Sequence, residues 1–452
     1  MRILKNITTL AIASILLVSC EIEDGENLNG PTTDSVSEDI TRGALKETVS
    51  GVLADMRTQL ATQIDGQAVA GREYWRIQSS DPRWTADLLT GTLDNNTFYT
   101  TNPYAARYAN VKNVNTLLEG LANTTADFSP EEIAAARGFV NTIKAHELLM
   151  VLNQQYQNGI RVDVNDPKNL GPFLSFEESL SAIAEILSNA ILDLNNGGTS
   201  FPFDVPAGFD GIKSDANKDL SPTDFAKFAN GLATRVAAYQ GNYTAANGFL
   251  ANSFLDTTGA LSTGAYMTFS LTGADVANPL FFALNSTVAN ARLAHPSFIT
   301  DADTDDNRLN KVVFREKENE DTMLIEPNPL TNDGLTGTHD VFVYTSNTAS
   351  FPIMKNEELV LLSAEANHIT DPMAAVTAIN VVRNAAGVGA YTGATTPEAL
   401  VDEILKQRRY SLYAEGHRWV DMRRFNKLVD LPIDRTGDNI ATQFPTPANE
   451  NR

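Results

Sequence analysis

Apolar residues recur every three or four positions over several stretches of the chain, which is the spacing of one face of an α-helix. These stripes lie within residues 133–150, 180–194, 225–239, 359–369 and 375–386. A capping residue followed by proline precedes several helices, at Ser129, Ser221, Asp371 and Thr396. Such a pair favours the first turn of a helix. The pattern therefore predicts a mainly α-helical chain.

Several of these helices are joined by very few residues, so they are expected to pack as antiparallel neighbours. Stacked hairpins of this kind indicate a tetratricopeptide-like scaffold, although the 34-residue period is not exact. Large loop-rich insertions are predicted where the helical rhythm is lost, at 61–102, 196–220, 251–352 and 430–452. Two short strands are predicted inside them, at 267–270 and 342–345.

Composition narrows the function classes. The 452 residues carry a formal net charge of -22, with 42% hydrophobic and 20% charged residues. These fractions are typical of a globular protein. The acidic surface repels phosphate backbones, so nucleic acid is not a predicted partner. The single cysteine, Cys20, excludes an internal disulfide.

The N-terminal residues read as a targeting signal. Arg2 and Lys5 precede a short apolar run that ends in Leu17-Val18-Ser19-Cys20. The run has the length of a secretory signal. Its end resembles a bacterial lipobox, which implies cleavage before Cys20 and attachment of lipid to its thiol. Residues 1–19 are therefore predicted as a signal peptide, and 20–38 as a lipidated flexible tether.

Several motifs then occur in a fixed order along the chain. They read YANVKNVN at 108–115, AARGF at 135–139, FPIMKNEELVLLSAEA at 351–366, INVVR at 379–383, RRYSLYAEGHRWVDMRR at 408–424 and FPTPANEN at 444–451. Together they resemble the motifs of the SusD/RagB family. Gln407, Ser411 and Thr446 depart from the family's usual residues, which affects local charge pairing only.

The resemblance implies a SusD-like fold, a single domain over 39–452 with its signature part at 351–452 after a loop-rich and helical part at 39–350. It also implies a partner and a ligand. The partner is a SusC-like TonB-dependent transporter in the outer membrane. The ligand is an oligosaccharide or polysaccharide, bound at the cell surface and delivered for uptake without catalysis.

Two carboxylates in the signature, Glu415 and Asp421, could be read as an acid/base pair for sugar hydrolysis. Arginines surround them in the sequence and would keep them ionised, so a structural salt-bridge network is favoured. His417 has no second ligand at metal spacing. The acidic run from Asp301 lacks the later residues of a calcium loop. No metal, cofactor or catalytic residue is predicted.

Candidate ligand residues lie in the polar, aromatic stretch around residue 80. Aromatic rings can cover the apolar face of a sugar, while amide and charged side chains bind its hydroxyls. Trp75 and Trp84 are the first candidates, followed by Tyr74, Tyr99 and Tyr104. The competing interpretation places all of these rings in the core, where aromatic residues are most often found.

Two alternative functions stay open from the sequence. Helical repeats would equally suit a scaffold lipoprotein of envelope assembly. A surface glycoside hydrolase is the other alternative, although no nucleophile elbow or phosphate-binding loop is present.

Overall fold

The structure, a computed structural model, describes residues 32–273 and 275–450. Its α-helices are α1 Thr33–Glu38, α2 Arg42–Asp55, α3 Leu60–Ala70, α4 Arg83–Thr90, α5 Phe98–Asn123, α6 Pro130–Gln155, α7 Phe176–Asn195, α8 Pro222–Tyr239, α9 Tyr243–Leu250, α10 Pro296–Thr300, α11 Asn356–Asn367, α12 Pro372–Ala386, α13 Pro397–Ser411 and α14 Arg418–Arg424. The chain is mainly helical, as the hydrophobic pattern predicts.

The predicted helix starts are confirmed by their caps. Ser129 accepts a hydrogen bond from the Glu132 amide at 3.2 Å, and the Glu132 carboxylate accepts one from the Ser129 amide at 2.8 Å. Each bond satisfies an amide that has no partner within the helix. At the other end of a helix, Gly387 has a φ of 80°, which glycine adopts at little cost.

The helices pack as neighbouring pairs around one large apolar core. Helices α5 to α9 contact one another in series, and α11, α12 and α13 form a second group that α11 joins to α8 and α9. Phe139 of α6 stacks on Phe225 of α8 with ring centroids 4.3 Å apart. Predicted stripe residues such as Ile183 and Leu187 are buried. The series of helix pairs confirms the predicted helical scaffold.

The strands are short and lie outside the helix pairs. They are β1 Tyr74–Ile77, β2 Ile160–Arg161, β3 Phe173–Leu174, β4 Gly264–Met267, β5 Ala291–Ala294, β6 Val312–Phe314, β7 Glu316–Glu318, β8 Ile325–Pro327, β9 Leu330–Asn332, β10 Leu335–Gly337, β11 His339–Val341 and β12 Phe351–Lys355. An antiparallel sheet has the order β1-β5-β11-β6, and β4 pairs with β12.

Four local predictions differ from the structure. The segment 61–102 contains helices α3 and α4. Helix α3 is buried along almost its whole length, so it has no polar face to create a helical rhythm. The predicted strand 267–270 shares only Met267 with β4, and the predicted strand 342–345 begins one residue after β11 ends. Residues 33–38, placed in the flexible tether, form helix α1, with Val36 buried against the core.

Candidate ligand groove

The aromatic residues predicted to contact ligand are buried. Each is exposed by 5% or less: Tyr74, Trp75, Trp84, Tyr99 and Tyr104. Stacking on a sugar requires an open ring face. None of the five offers one in this structure, so the open platform expected from the sequence is not found. A ligand role for these residues stays a prediction that would require the surrounding segments to move.

Protein partners occupy the polar atoms of most of these rings. The Trp75 indole donates to Asp434 at 2.9 Å, and the Trp84 indole donates to Gln78 at 3.1 Å. The Tyr74 hydroxyl donates to Asp65 at 2.7 Å. Tyr99 donates to Asp87 at 2.8 Å. These contacts are what buried indole and phenol groups require, and they explain why a polar sequence context surrounds core rings.

An open groove lies elsewhere, at the turn between helices α2 and α3. We define the α2–α3 groove as two adjoining clefts of about 470 and 250 Å³, both lined by Ala54 and Arg57. The larger cleft is also lined by Gln59 and Thr62, and the smaller one by Tyr266. Its size and its mixture of apolar and polar walls are those of a small-molecule site.

A buried ion pair stabilises the turn between α2 and α3. Arg107 of α5 lies 3.0 Å from Glu147 of α6, and both side chains are almost completely buried. The same guanidinium donates to the carbonyl oxygen of Met56 at 2.8 Å and to that of Thr58. The pair therefore fixes the backbone between α2 and α3. Burial raises the pKa of Glu147, although the nearby Arg107 opposes that shift.

The turn itself contains a strained residue. Gln59 has a φ of 57°, in the left-handed region that favours glycine. Its side-chain oxygen accepts a hydrogen bond from the Thr62 hydroxyl at 2.8 Å. A non-glycine residue in this region costs free energy, and such residues cluster at functional sites. Gln59 lines the larger cleft of the groove.

Arg57 lines both clefts of the groove. Its guanidinium donates to the carbonyl oxygen of Thr268 at 2.9 Å and pairs with Asp275. The guanidinium also lies 5.7 Å from the centroid of the Phe269 ring. Arg57 thus connects the turn to the segment after β4. Its side chain stays 16% exposed, which leaves the charge within reach of a ligand.

The smaller cleft has an apolar floor and one aromatic wall. Phe209, Met267 and Ile353 line it together with Tyr266, which is only half-buried. Burial raises the pKa of Tyr266, and its hydroxyl donates to the carbonyl oxygen of Ser262. A partly open ring beside the Thr268 hydroxyl and the Arg57 guanidinium suits a polyhydroxylated ligand, whose C–H faces and hydroxyls need both kinds of contact.

The carboxylates of the signature form ion pairs. Asp421 lies 2.7 Å from Arg408 and 3.0 Å from Arg424, and these cations lower its pKa against the larger opposing effect of burial. Glu415 pairs with Lys355 at 2.6 Å, where an arginine partner was expected. The predicted structural network is confirmed, with this one change of partner. Burial raises the pKa of Glu415, but the carboxylate is occupied by Lys355.

The acidic run at Asp301 is also occupied by cations. Asp301 lies 2.9 Å from Arg409, and Asp303 pairs with Lys406 and Arg383. Across residues 32–273 and 275–450 there is no group of three His, Cys, Asp or Glu side chains placed to hold a metal ion. His417 lies near Glu358 and Arg408, and burial lowers its pKa to about 4.

Cys20, the predicted lipidation site, lies outside the described residues. Among the helices that the structure describes, none is long and apolar enough to cross a bilayer. Sequence reasoning did not identify Arg57, Gln59 or Tyr266. Only Tyr266 had a signal nearby, since it precedes the predicted strand at 267–270. The groove depends on a turn without glycine or proline, which gives no pattern to detect.

Comparison with known proteins finds a family match over the signature region. The model of the SusD family matches residues 330–451. A curated relative, the SusD-like protein P38 of Formosa agariphila, is 34% identical over 88 residues, which span 18% of this chain and 18% of that protein. The chain therefore matches less than a fifth of the length of that relative.

Solved structures match nearly the whole chain. A SusD superfamily protein from Bacteroides vulgatus has a TM-score of 0.64 at 15% identity, covering 90% of this chain and 96% of that one. NanU of B. fragilis has a TM-score of 0.65 at 13% identity, covering 90% and 94%. A laminarin-binding SusD-like protein has a TM-score of 0.60 at 15% identity, covering 90% and 96%. At these identities the likeness concerns the fold.

Proposed function

Because residues 330–451 match the model of the SusD family and the fold resembles that of solved SusD superfamily structures, we propose that the chain binds an oligosaccharide or polysaccharide at the cell surface. It does so without catalysis and delivers the glycan to a SusC-like TonB-dependent transporter. Cys20 anchors it by lipid to the outer membrane, facing the exterior. A structural neighbour named for laminarin binding supports the ligand class.

The observation that carries the glycan assignment is the α2–α3 groove. It combines an open aromatic wall at Tyr266, the Gln59 amide and the Arg57 guanidinium in one cleft system. Its larger part, about 470 Å³, lies within the roughly 300–1,000 Å³ typical of small-molecule sites. An open groove of this kind buries few ring faces, so modest affinity is expected.

Absence of catalysis is supported by the state of the signature carboxylates. Glycoside hydrolysis needs a carboxylic acid and a carboxylate on either side of the scissile bond. Glu415 and Asp421 are instead fixed by Lys355, Arg408 and Arg424 in the interior. Neither carboxylate lines the groove.

The binding test uses the purified chain without residues 1–19 and a panel of neutral polysaccharides that includes laminarin. Affinity electrophoresis finds the ligand, and calorimetry measures its affinity. We expect Tyr266→Ala and Gln59→Ala each to weaken binding about tenfold or more, while Tyr391→Ala, which changes a half-buried tyrosine on the connection between α12 and α13, leaves it unchanged.

Three results would contradict parts of the proposal. Loss of binding in Trp75→Phe or Trp84→Phe, with the groove variants unaffected, would show that the ligand binds at the aromatic residues predicted from the sequence. No binding to any glycan would reject the ligand class. Release of reducing sugar by the wild-type protein, abolished in Glu415→Gln, would make the protein a hydrolase.

The anchor and the partner are tested in cells. Labelled fatty acid should enter the wild-type protein and not Cys20→Ala, and protease added to intact cells should digest the wild-type protein. A TonB-dependent barrel should copurify with it from detergent-solubilised membranes. A protein protected from protease would favour the alternative scaffold role in envelope assembly.

A further inference from the structure

A second cleft lies between helices α1, α5 and α6 and the segment that follows β2. We call it the α1–α5–α6 pocket; its volume is about 650 Å³. Its lining includes Lys144 of α6, Asn115 and Thr116 of α5, and the charged residues Lys112 and Glu119. None of these residues lines the α2–α3 groove.

Lys144 is the unusual group in this pocket. Its side chain is only 8% exposed, yet it has no hydrogen bond and no salt bridge to any of residues 32–273 and 275–450. Burial lowers the pKa of Lys144, and the charge of Asp163 opposes that shift only in part. The ammonium keeps some contact with solvent at the pocket, but no protein acceptor replaces the hydration that it loses.

Other buried cations among the residues that the structure describes have acceptors at contact distance, either carboxylates or, as for Arg423, the backbone carbonyl oxygens of Asn153 and Thr442. Arg235 lies 2.6 Å from Glu358, and Arg292 lies 2.6 Å from Asp65. The fold therefore supplies carboxylate or carbonyl acceptors where a buried cation is purely structural. Lys144 has neither kind of acceptor in contact and borders an open pocket, so a ligand can supply the missing acceptor.

Asn115 is unsatisfied beside it. Both the amide nitrogen and the amide oxygen of Asn115 are buried and have no hydrogen-bond partner. Asparagine offers two N–H donors and one oxygen acceptor, so it can both donate to a carboxylate and accept from a hydroxyl. Thr116 adds a hydroxyl to the same wall, although that hydroxyl already donates to the carbonyl oxygen of Lys112 at 3.1 Å.

We infer that the α1–α5–α6 pocket binds a sugar acid, whose carboxylate pairs with the Lys144 ammonium and whose hydroxyls reach Asn115. A neutral sugar would leave the buried ammonium unpaired. A phosphate dianion is disfavoured because Glu119 and Asp166 line the same pocket and repel a second negative charge. A single carboxylate on a polyol meets both conditions. The inference does not rest on the function proposed for the α2–α3 groove.

The test uses the purified chain without residues 1–19. Calorimetry measures its binding of D-glucuronate and D-galacturonate, with D-glucose, acetate and inorganic phosphate as comparison probes. We expect the uronates to bind and the three comparison probes to bind at least tenfold more weakly. Lys144→Met and Asn115→Ala should each weaken uronate binding at least tenfold. Lys168→Gln, an exposed lysine on the adjacent segment, is the matched control and should leave binding unchanged.

A measurement on the wild-type protein makes the test independent of variant folding. A bound uronate should protect Lys144 from reductive methylation, detected by peptide mass spectrometry, while Lys168 stays reactive. The inference is overturned if uronates do not bind, if Lys144→Met binds them as well as wild type, or if phosphate or acetate binds equally well. Tyr266→Ala should leave uronate binding unchanged, so failure at the groove and failure at this pocket are distinguishable.

Discussion

Two regions of the molecule bury charged side chains in opposite ways. In the signature helix α14, Asp421 forms ion pairs with Arg408 and Arg424, and Arg424 forms a second ion pair with Glu365. In the α1–α5–α6 pocket, Lys144 has no hydrogen bond and no ion pair within the described residues, and the charge of Asp163 offsets its burial only in part. A paired buried charge is costly to break, whereas an unpaired one is costly to keep. The difference separates groups that hold the fold from groups that are open to a ligand.

The residues of the strongest sequence motif belong to the groups that hold the fold. Trp419 is fully buried, and its indole donates to the carbonyl oxygen of Ala441 at 2.7 Å. Arg423 donates to the carbonyl oxygens of Asn153 and Thr442. These bonds join α14 to the end of α6 and to the C-terminal segment. The signature therefore marks the scaffold, and the ligand sites must be sought elsewhere.

The largest effect should come from breaking the paired region. Replacing Asp421 in D421N leaves Arg408 and Arg424 without their shared carboxylate, and we expect the free energy of unfolding to fall by about 3–5 kcal/mol. Urea denaturation measures this change. The control is D402N, which removes an exposed partner of Lys427 and should cost under about 1 kcal/mol. Equal effects in both variants would contradict the structural role of the buried ion pairs of Asp421.

Glu73, which lies near Arg418 of the signature region, is a buried carboxyl group that is not fully paired. One oxygen of its buried carboxyl group has no partner, and burial raises its pKa to about 8, with Arg418 opposing and Glu415 adding to the shift. A carboxyl group whose pKa is higher in the folded state stabilises the fold fully below its unfolded value of 4.5. That contribution is lost as the pH rises through 8.

We therefore expect the free energy of unfolding to decrease between pH 5 and pH 8 in the wild-type protein, and E73Q to remove much of this decrease. Glutamine resembles the protonated acid, so E73Q should match wild type at pH 5 and exceed it by about 2–3 kcal/mol at pH 8. Urea denaturation at both pH values measures the difference. A constant difference across this range would show that Glu73 keeps the same protonation in both states.

Removing the unpaired charge of Lys144 should raise the free energy of unfolding, whereas removing the paired charge of Asp421 lowers it. Replacing Lys144 in K144M removes a buried ammonium without a partner and keeps its apolar stem, so the free energy of unfolding should rise by about 1–2 kcal/mol at pH 7. The gain should vanish above about pH 10.5, where lysine loses its charge in the unfolded chain as well. A loss of stability at pH 7 would assign Lys144 a structural role.

Much of the scaffold could be predicted because its helices have one apolar face and strong caps. Ser129 and Ser221 each open a capping box at the predicted residue. Helix α3 was missed because burial on all sides removes the polar face that periodicity needs. The strands near 267 and 342 were displaced by a few residues, since runs of three or four residues carry little alternation.

The ligand sites were much less accessible to sequence reasoning. A tryptophan in a polar segment looks the same in the sequence whether its ring is open or covered, and Trp75 and Trp84 are covered. Lys144 lies within a helix that was predicted correctly, but only the structure reveals that its charge has no partner. Contacts between distant segments decide such properties, as they do for Arg57 and Thr268.

The smallest expected effect concerns the strained turn of the α2–α3 groove. Glycine adopts the left-handed conformation of Gln59 at little cost, so Q59G should relieve strain while losing the hydrogen bond from Thr62. We expect a net gain of about 0.5 kcal/mol in the free energy of unfolding and a weaker affinity for glycan. The matched variant Q59A loses the same amide but keeps the strain, so it should weaken binding equally without the gain in stability. If Q59G instead bound glycan as well as wild type, the Gln59 amide would have no part in the site, and its strained conformation would serve the turn alone.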